Sequence, residues 1–237
     1  MRSWMSDAQQ GTPVPPATLF GLLSVVYGLD DDNLLVDEVS TLLVAGHETT
    51  ALTLFWICAL LARAPRWQAV LAAEASELDL SPEQAATNLP KLVLTRAVVQ
   101  EALRLYPPAF MTGRLAKQTH EICGSRVGMG AIILIPLWLL HRNARWWAEP
   151  AVFNPGRFLG DAEPERFTYL PFGAGPHVCI GAQLALSVAT LVTARLVQKF
   201  SITIRGDQAV LPVGTLGTRP DHAPTFILHP REEGSRQ

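Results

Sequence analysis

Lysine, cysteine and charge are all scarce in this 237-residue chain, and each shortage closes off a class of function. Charged residues make up 17% and the formal net charge is -2, so there is no basic footprint of the kind that grips nucleic acid. Arginine far outnumbers lysine. The three cysteines, Cys58, Cys123 and Cys179, are odd in number and far apart, which does not read as a disulfide framework. A reducing cytosol, and hence a cytoplasmic protein, is the expectation. The start, Met1 to Gln10, lacks the apolar stretch of a signal peptide. The longest apolar runs, 51–62 and 131–140, fall short of the ~20 residues of a membrane span, so no membrane is expected. What is abundant is apolar side chain, 49% of residues, enough for a sizeable core.

Patterning divides the chain into a lead-in over residues 1–16, a main part over 17–230 and a polar tail over 231–237. A short helix is expected over 19–27. The acidic run Asp30-Asp31-Asp32-Asn33 offers N-caps to a long helix that ends before Pro65. At 1.5 Å per residue that helix is about 45–50 Å long, and its nearly all-round apolar surface predicts burial through a domain. Further helices are expected over 66–78, 81–88 and 91–106, the last stopped by Pro107-Pro108. Short strands follow over 110–137, with turns at Cys123-Gly124-Ser125 and Gly128-Met129-Gly130. One helical turn is expected over 138–143. Residues 145–175 are rich in Pro, Gly and aromatics, and irregular stretches of that length tend to be functional. A final helix is expected over 180–199, then strands over 200–204 and 225–228. The fold class is mainly α with small β-sheets.

The segment Phe172-Gly173-Ala174-Gly175-Pro176-His177-Val178-Cys179-Ile180-Gly181 carries most of the chemistry. Its glycines allow a tight turn and close approach to a flat partner. Cys179 stands just before a helix, where free N–H groups and the helix dipole favour a thiolate, the metal-binding form. For an arbitrary cysteine a structural role is the better bet. A dinucleotide loop fails because Val178 stands where the third glycine belongs, and a zinc site fails because His177 and Cys179 have no second pair at ligand spacing. Position by position, Phe172, Gly173, Gly175, His177, Cys179 and Gly181 resemble the haem-binding loop of the cytochrome P450 family. The resemblance implies that Cys179 is the axial iron ligand, that Phe172 packs beside the sulfur and that His177 reaches a haem propionate, where the family more often has arginine. The implied cofactor is haem b (iron protoporphyrin IX).

Two further motifs agree. Ala45-Gly46-His47-Glu48-Thr49-Thr50 interrupts the long helix with polar and poorly helix-forming residues, which suggests a site. A kink satisfied by a neighbouring helix is the bland alternative, credible for His47 and Thr50. The hexapeptide resembles the family's oxygen-activation motif, which implies Ala45 beside the haem, Thr49 orienting dioxygen and Glu48 relaying protons. Glu101-Ala102-Leu103-Arg104, weak by itself, resembles the family's E-x-x-R helix when read with Leu105-Tyr106-Pro107-Pro108. Its implied partner is Arg157 in Phe153-Asn154-Pro155-Gly156-Arg157-Phe158, where Gly156 replaces the usual glutamate. Arg114 falls where the family places another propionate-binding arginine. His141-Arg142 fits a similar peripheral place without a role. Cys58 reads as a core residue and Cys123 as a hairpin residue.

The resemblance covers only the second half of the family, from the long central helix onward. An N-terminal half would supply helices that wrap the haem and most of the pocket lid, and without it the long helix should expose apolar surface. The implied activity is a haem-thiolate monooxygenase that inserts one oxygen atom from dioxygen into an apolar small molecule. Its electrons would come from a ferredoxin or flavodoxin with its reductase, since no flavin, nicotinamide or iron–sulfur motif is recognisable. The alternatives are a peroxygenase or isomerase, or a non-catalytic fragment.

Overall fold

A computed structural model of the chain describes residues 15, 18–27, 32–160 and 164–231. The lead-in over 1–16 therefore lies, except for Pro15, outside the described residues, as does the tail beyond Arg231. The chain divides into two compact units, Met1–Glu48 and Thr49–Gln237. In the first, α1 (Leu19–Tyr27) and the opening of α2 (Asp32–Ala62) pack Phe20 and Leu23 against Leu35, Val36 and Val39. Thr18 starts α1 by accepting the Gly21 N–H on its hydroxyl, at 3.1 Å.

The second unit is built around the end of α2. Ile57 and Leu61 form a core with Leu71 of α3 (Pro65–Ser76), with Val98, Val99, Ala102 and Leu103 of α5 (Val93–Leu105), and with Ala189 and Val197 of α7 (Ala182–Lys199). Each large aliphatic side chain fully buried there contributes about 1.5–3 kcal/mol. Glu74 caps α5 from outside, its carboxylate accepting from Leu94 N, Thr95 N and Thr95 Oγ1 at 2.6–2.9 Å. A helix N-terminus leaves such N–H groups orphaned and attracts a negative charge. Buried Gln68 donates to the carbonyls of Leu61 and Ile202 and accepts the Ile202 N–H, joining the end of α2 to the strand that carries Ile202.

Four two-stranded antiparallel sheets complete the unit. They pair β1 (Thr112–Leu115) with β4 (Ile132–Ile135), β2 (His120–Ile122) with β3 (Ser125–Val127), β5 (Phe200–Ile204) with β8 (Phe226–Pro230), and β6 (Pro212–Gly214) with β7 (Thr218–Pro220). The β2–β3 turn is the two-residue loop Cys123-Gly124, both at positive φ (49° and 77°), as a type I′ hairpin requires. One helical turn, α6 (Leu137–Leu140), follows β4.

Three expectations need correction. The helix expected over 81–88 is only α4 (Ala85–Asn88). Asp79 Oδ1 takes the Ser81 N–H at 2.9 Å and Asn88 Nδ2 donates to the Asp79 carbonyl, so these groups are satisfied without a longer helix. Second, α2 is not buried throughout. Its buried apolar residues are Leu35 and Val39 near the start and the stretch from Leu52 to Leu61, while Leu43 and Val44 between them are exposed. That exposure matches the apolar surface expected of the half-family. Third, Leu34–Ala62 is long and apolar enough to cross a membrane by length and composition, although polar residues interrupt its apolar runs. Its last third nevertheless forms the protein core just described.

Candidate functional site

The cysteine loop, which leads into α7, is held by its own backbone hydrogen bonds. Gly173 and Gly175 both adopt left-handed φ, +74° and +75°, where a side chain would cost about 1–2 kcal/mol. Gly173 N donates to the Leu170 carbonyl at 3.1 Å, and Cys179 N donates to the Phe172 carbonyl at 2.9 Å. Those two bonds fold residues 170–179 back on themselves. The Phe172 ring points into the core beside α5, which anchors the loop's first residue. Cys179 is left exposed and free just before Gly181, whose backbone opens α7. A Cβ on Gly181 would lie 3.8 Å from the Cys179 Sγ, in ordinary van der Waals contact, so the glycine stands directly beside the sulfur.

Beside the loop lies a cavity of about 390 Å³, lined by Arg114, His177, Gly173, Ala174, Phe167 and Leu170 among others. The structure thus brings Arg114 of β1 and His177 of the loop to one space. Arg114 is braced by its own strand, Nη1 donating to Thr112 Oγ1 at 3.0 Å and to the Gly113 carbonyl at 2.8 Å.

The charged frame is more extensive than the sequence suggests. Glu101 and Arg104 are fully buried and paired side-on, Nε to Oε2 at 2.7 Å and Nη2 to Oε1 at 2.8 Å. Arg104 also donates to the carbonyls of His141, Pro150 and Val152, so all five guanidinium N–H groups are used. The Glu101 Oε1 also accepts the Asn154 N–H at 2.9 Å and has Arg157 Nε at 3.5 Å, an ion pair without hydrogen-bond alignment. Gly156 fits this turn because its N–H donates to Asn154 Oδ1, which a Cβ would approach to 2.9 Å.

Ala45 and Glu48 belong to the first unit and Thr49 opens the second. Ala45 and Thr49 are exposed, Glu48 is half-buried, and none of the three lines the cavity beside the cysteine loop. The helix continues through them, and the Thr53 hydroxyl donates to the Thr49 carbonyl at 2.9 Å.

The sequence profile of the cytochrome P450 family matches residues 27–223. The chain belongs to the cytochrome P450 family. A cytokinin hydroxylase of Arabidopsis thaliana is 37% identical over 199 residues, 83% of this chain and 38% of that protein. The cyclooctat-9-en-7-ol 5-monooxygenase of Streptomyces melanosporofaciens is 41% identical over 177 residues, 74% of this chain and 38% of its own length. A solved zebrafish cytochrome P450, determined with progesterone, superposes with a TM-score of 0.73 at 28% identity, covering 94% of this chain and 49% of that one. This P450 chain thus spans half or less of the length of these relatives. The mainly helical fold with small separate sheets is the P450 fold.

A P450 carries haem, and the residues present fit one. Among the described residues no group of three His, Cys, Asp or Glu could hold a metal ion by itself. A lone cysteine suits an iron that arrives with its porphyrin nitrogens. The exposed apolar side chains of Val178, Ile180 and Leu184 flank Cys179 in sequence, and a cationic side chain and an imidazole share the adjoining cavity. In this P450 the residue that sequence reasoning missed is His141, which is fully buried and not peripheral. Its signal is spacing: it lies four residues after buried Leu137, on the same helical face. Cys58, expected in the core, is half-buried, and burial pushes its thiol up to about 11.

Proposed function

We propose that the chain is the haem-binding part of a haem-thiolate monooxygenase, with haem b ligated by Cys179, acting on an apolar small molecule. The observation that carries this reading is the exposed cysteine on a glycine-bracketed loop beside the cavity shared by Arg114 and His177. The haem would supply dioxygen activation and insertion of one oxygen atom, with thiolate donation favouring O–O cleavage. Cys179 presents the thiolate. Gly173 and Gly175 supply the left-handed turns of the loop, Gly181 lies beside the sulfur, and Phe172 anchors the loop to the core. Arg114 and His177 would hold the propionates. On the family's motif, Ala45 would offer a small apolar surface, the Glu48 carboxylate would relay protons, and the Thr49 hydroxyl would orient dioxygen. Electrons come from a ferredoxin or flavodoxin with its reductase. A hydroxylase and a monooxygenase among the relatives support the reaction class.

The test is the reduced carbon monoxide spectrum of the 237-residue chain supplied with haem. A thiolate-type spectrum that disappears in Cys179→Ala supports the assignment. A wild-type chain that never shows it sinks the proposal. In Thr49→Ala, reductant consumption should persist while product falls and peroxide rises; unchanged coupling removes Thr49 from its role. A haem-binding part without turnover of its own is the second reading. It is favoured by Ile180 at 91% and Leu184 at 70% exposure near the ligand. Haem uptake with no turnover from either peroxide or dioxygen plus reductant would select it.

A further inference from the structure

His141 has no part in the function above, yet it joins the charged frame to the cysteine loop. Its backbone carbonyl accepts from Arg104 Nη1 at 2.8 Å, and its ring Nε2 accepts the Leu170 N–H at 2.8 Å. An imidazole nitrogen that accepts carries no proton, so the neutral ring has its proton on Nδ1. That Nδ1 is buried and has no hydrogen-bond partner among the described residues. Leaving a buried donor unpaired is costly, and an ordinary core residue at this position would avoid that cost.

The connections continue on the far side of the imidazole. The Leu170 carbonyl accepts from Gly173 N, and the Phe172 carbonyl accepts from Cys179 N. The Tyr169 ring packs on the imidazole at 5.5 Å and its hydroxyl donates to the Gln100 carbonyl of α5, so both residues at the root of the loop are tied to the frame. Arg104, His141, Leu170 and Gly173 thus form one hydrogen-bonded path that ends in the turn carrying Cys179.

We propose that His141 is a positioning residue: by accepting the Leu170 N–H it sets the root of the cysteine loop against the Glu101–Arg104 pair. The link to iron rests on the Cys179 reading above, while the contact itself does not. A leucine keeps the volume and removes the acceptor; a glutamine keeps an acceptor that reaches about as far as Nε2.

Amide hydrogen exchange on the full 237-residue chain tests this. In His141→Leu the Leu170 amide should exchange at least about tenfold faster, the loss of roughly one hydrogen bond, while the Val99 and Ala102 amides of α5 keep their protection. His141→Gln should restore most of the Leu170 protection. With haem supplied, the thiolate-type share of the carbon monoxide spectrum should fall in the leucine variant and recover in the glutamine variant. Unchanged Leu170 exchange in His141→Leu overturns the assignment. So does equal acceleration at Leu170 and Val99 in both variants, which is general destabilisation. A local loss that glutamine does not repair also counts against it, because ring volume and not the acceptor would then matter. The exchange is read without haem, so its failure counts against His141, and a missing thiolate spectrum in the wild-type chain counts against Cys179.

Discussion

A guanidinium is tolerated in a protein interior when its charge is matched and every N–H has an acceptor. Arg104 meets both conditions through Glu101 and three carbonyls, and Glu101 in turn holds the Asn154 amide. Removing the carboxylate's charge therefore strands a buried cation, while the glutamine shape still fills the space. Glu101→Gln should destabilise the chain by about 3–5 kcal/mol, read as a lower urea midpoint; a loss under about 1 kcal/mol would mean the pair is not buried in solution. What is local here was legible in short motifs: the glycine turn of residues 172–181 and the Glu101–Arg104 pair on one helical turn. His141 was not, because its partners lie 37 and 29 residues away and no local pattern joins them.

Among the elements, α2 combines the most sequence signal with the most local conflict. Gly46 sits inside this 31-residue helix, and a Cβ there would meet nothing within 4 Å. Glycine in a helix interior costs about 1 kcal/mol relative to alanine. Gly46→Ala should therefore raise stability by up to about 1 kcal/mol in a thermal or urea melt. If it lowers stability, the space around Gly46 is not open in solution. Helices were legible from periodicity and their stops: α1, α2, α3, α5 and α7 lie within a few residues of their expected bounds. The shortest elements were less so. The hairpin of β6 and β7 has two three-residue strands with a proline in each, too little for an alternation pattern. Thr218 pins it instead, its hydroxyl donating to the Pro107 carbonyl at 2.6 Å and its N–H to Pro108.

At the scale of the whole molecule, acid should loosen the second unit through one buried group. Burial pushes His141 down to about 4, opposed by the hydrogen bond with Arg104 and reinforced by the charges of Arg104 and Arg142. Glu101 is paired to Arg104, and Tyr169 packs on the ring with its phenol raised by burial, so neither supplies a free negative charge there. Between the unfolded value near 6.5 and the folded value near 4, the unfolded chain binds the extra proton. Stability from this group is thus complete above about pH 6.5 and is lost as pH falls towards 4, by at most about 3 kcal/mol. Urea midpoints taken from about pH 7.5 to about pH 4.5 should fall more steeply for the wild-type chain than for His141→Gln. Parallel slopes would show that His141 is not buried neutral.

Trp56 sets a timetable for making the protein. Its indole stacks on Tyr106 at 4.0 Å with an interplanar angle of 4°, and its Nε1 donates to the Thr218 carbonyl, 162 residues later, at 2.7 Å. At roughly 5–20 residues per second, a ribosome delivers that carbonyl about 8 to 32 seconds after the tryptophan. Throughout that interval the most buried end of α2 has its largest side chain and no acceptor for it. The nascent chain must be kept from associating through that surface until Thr218 has been synthesised, so its yield should rise with chaperone supply and fall when translation slows.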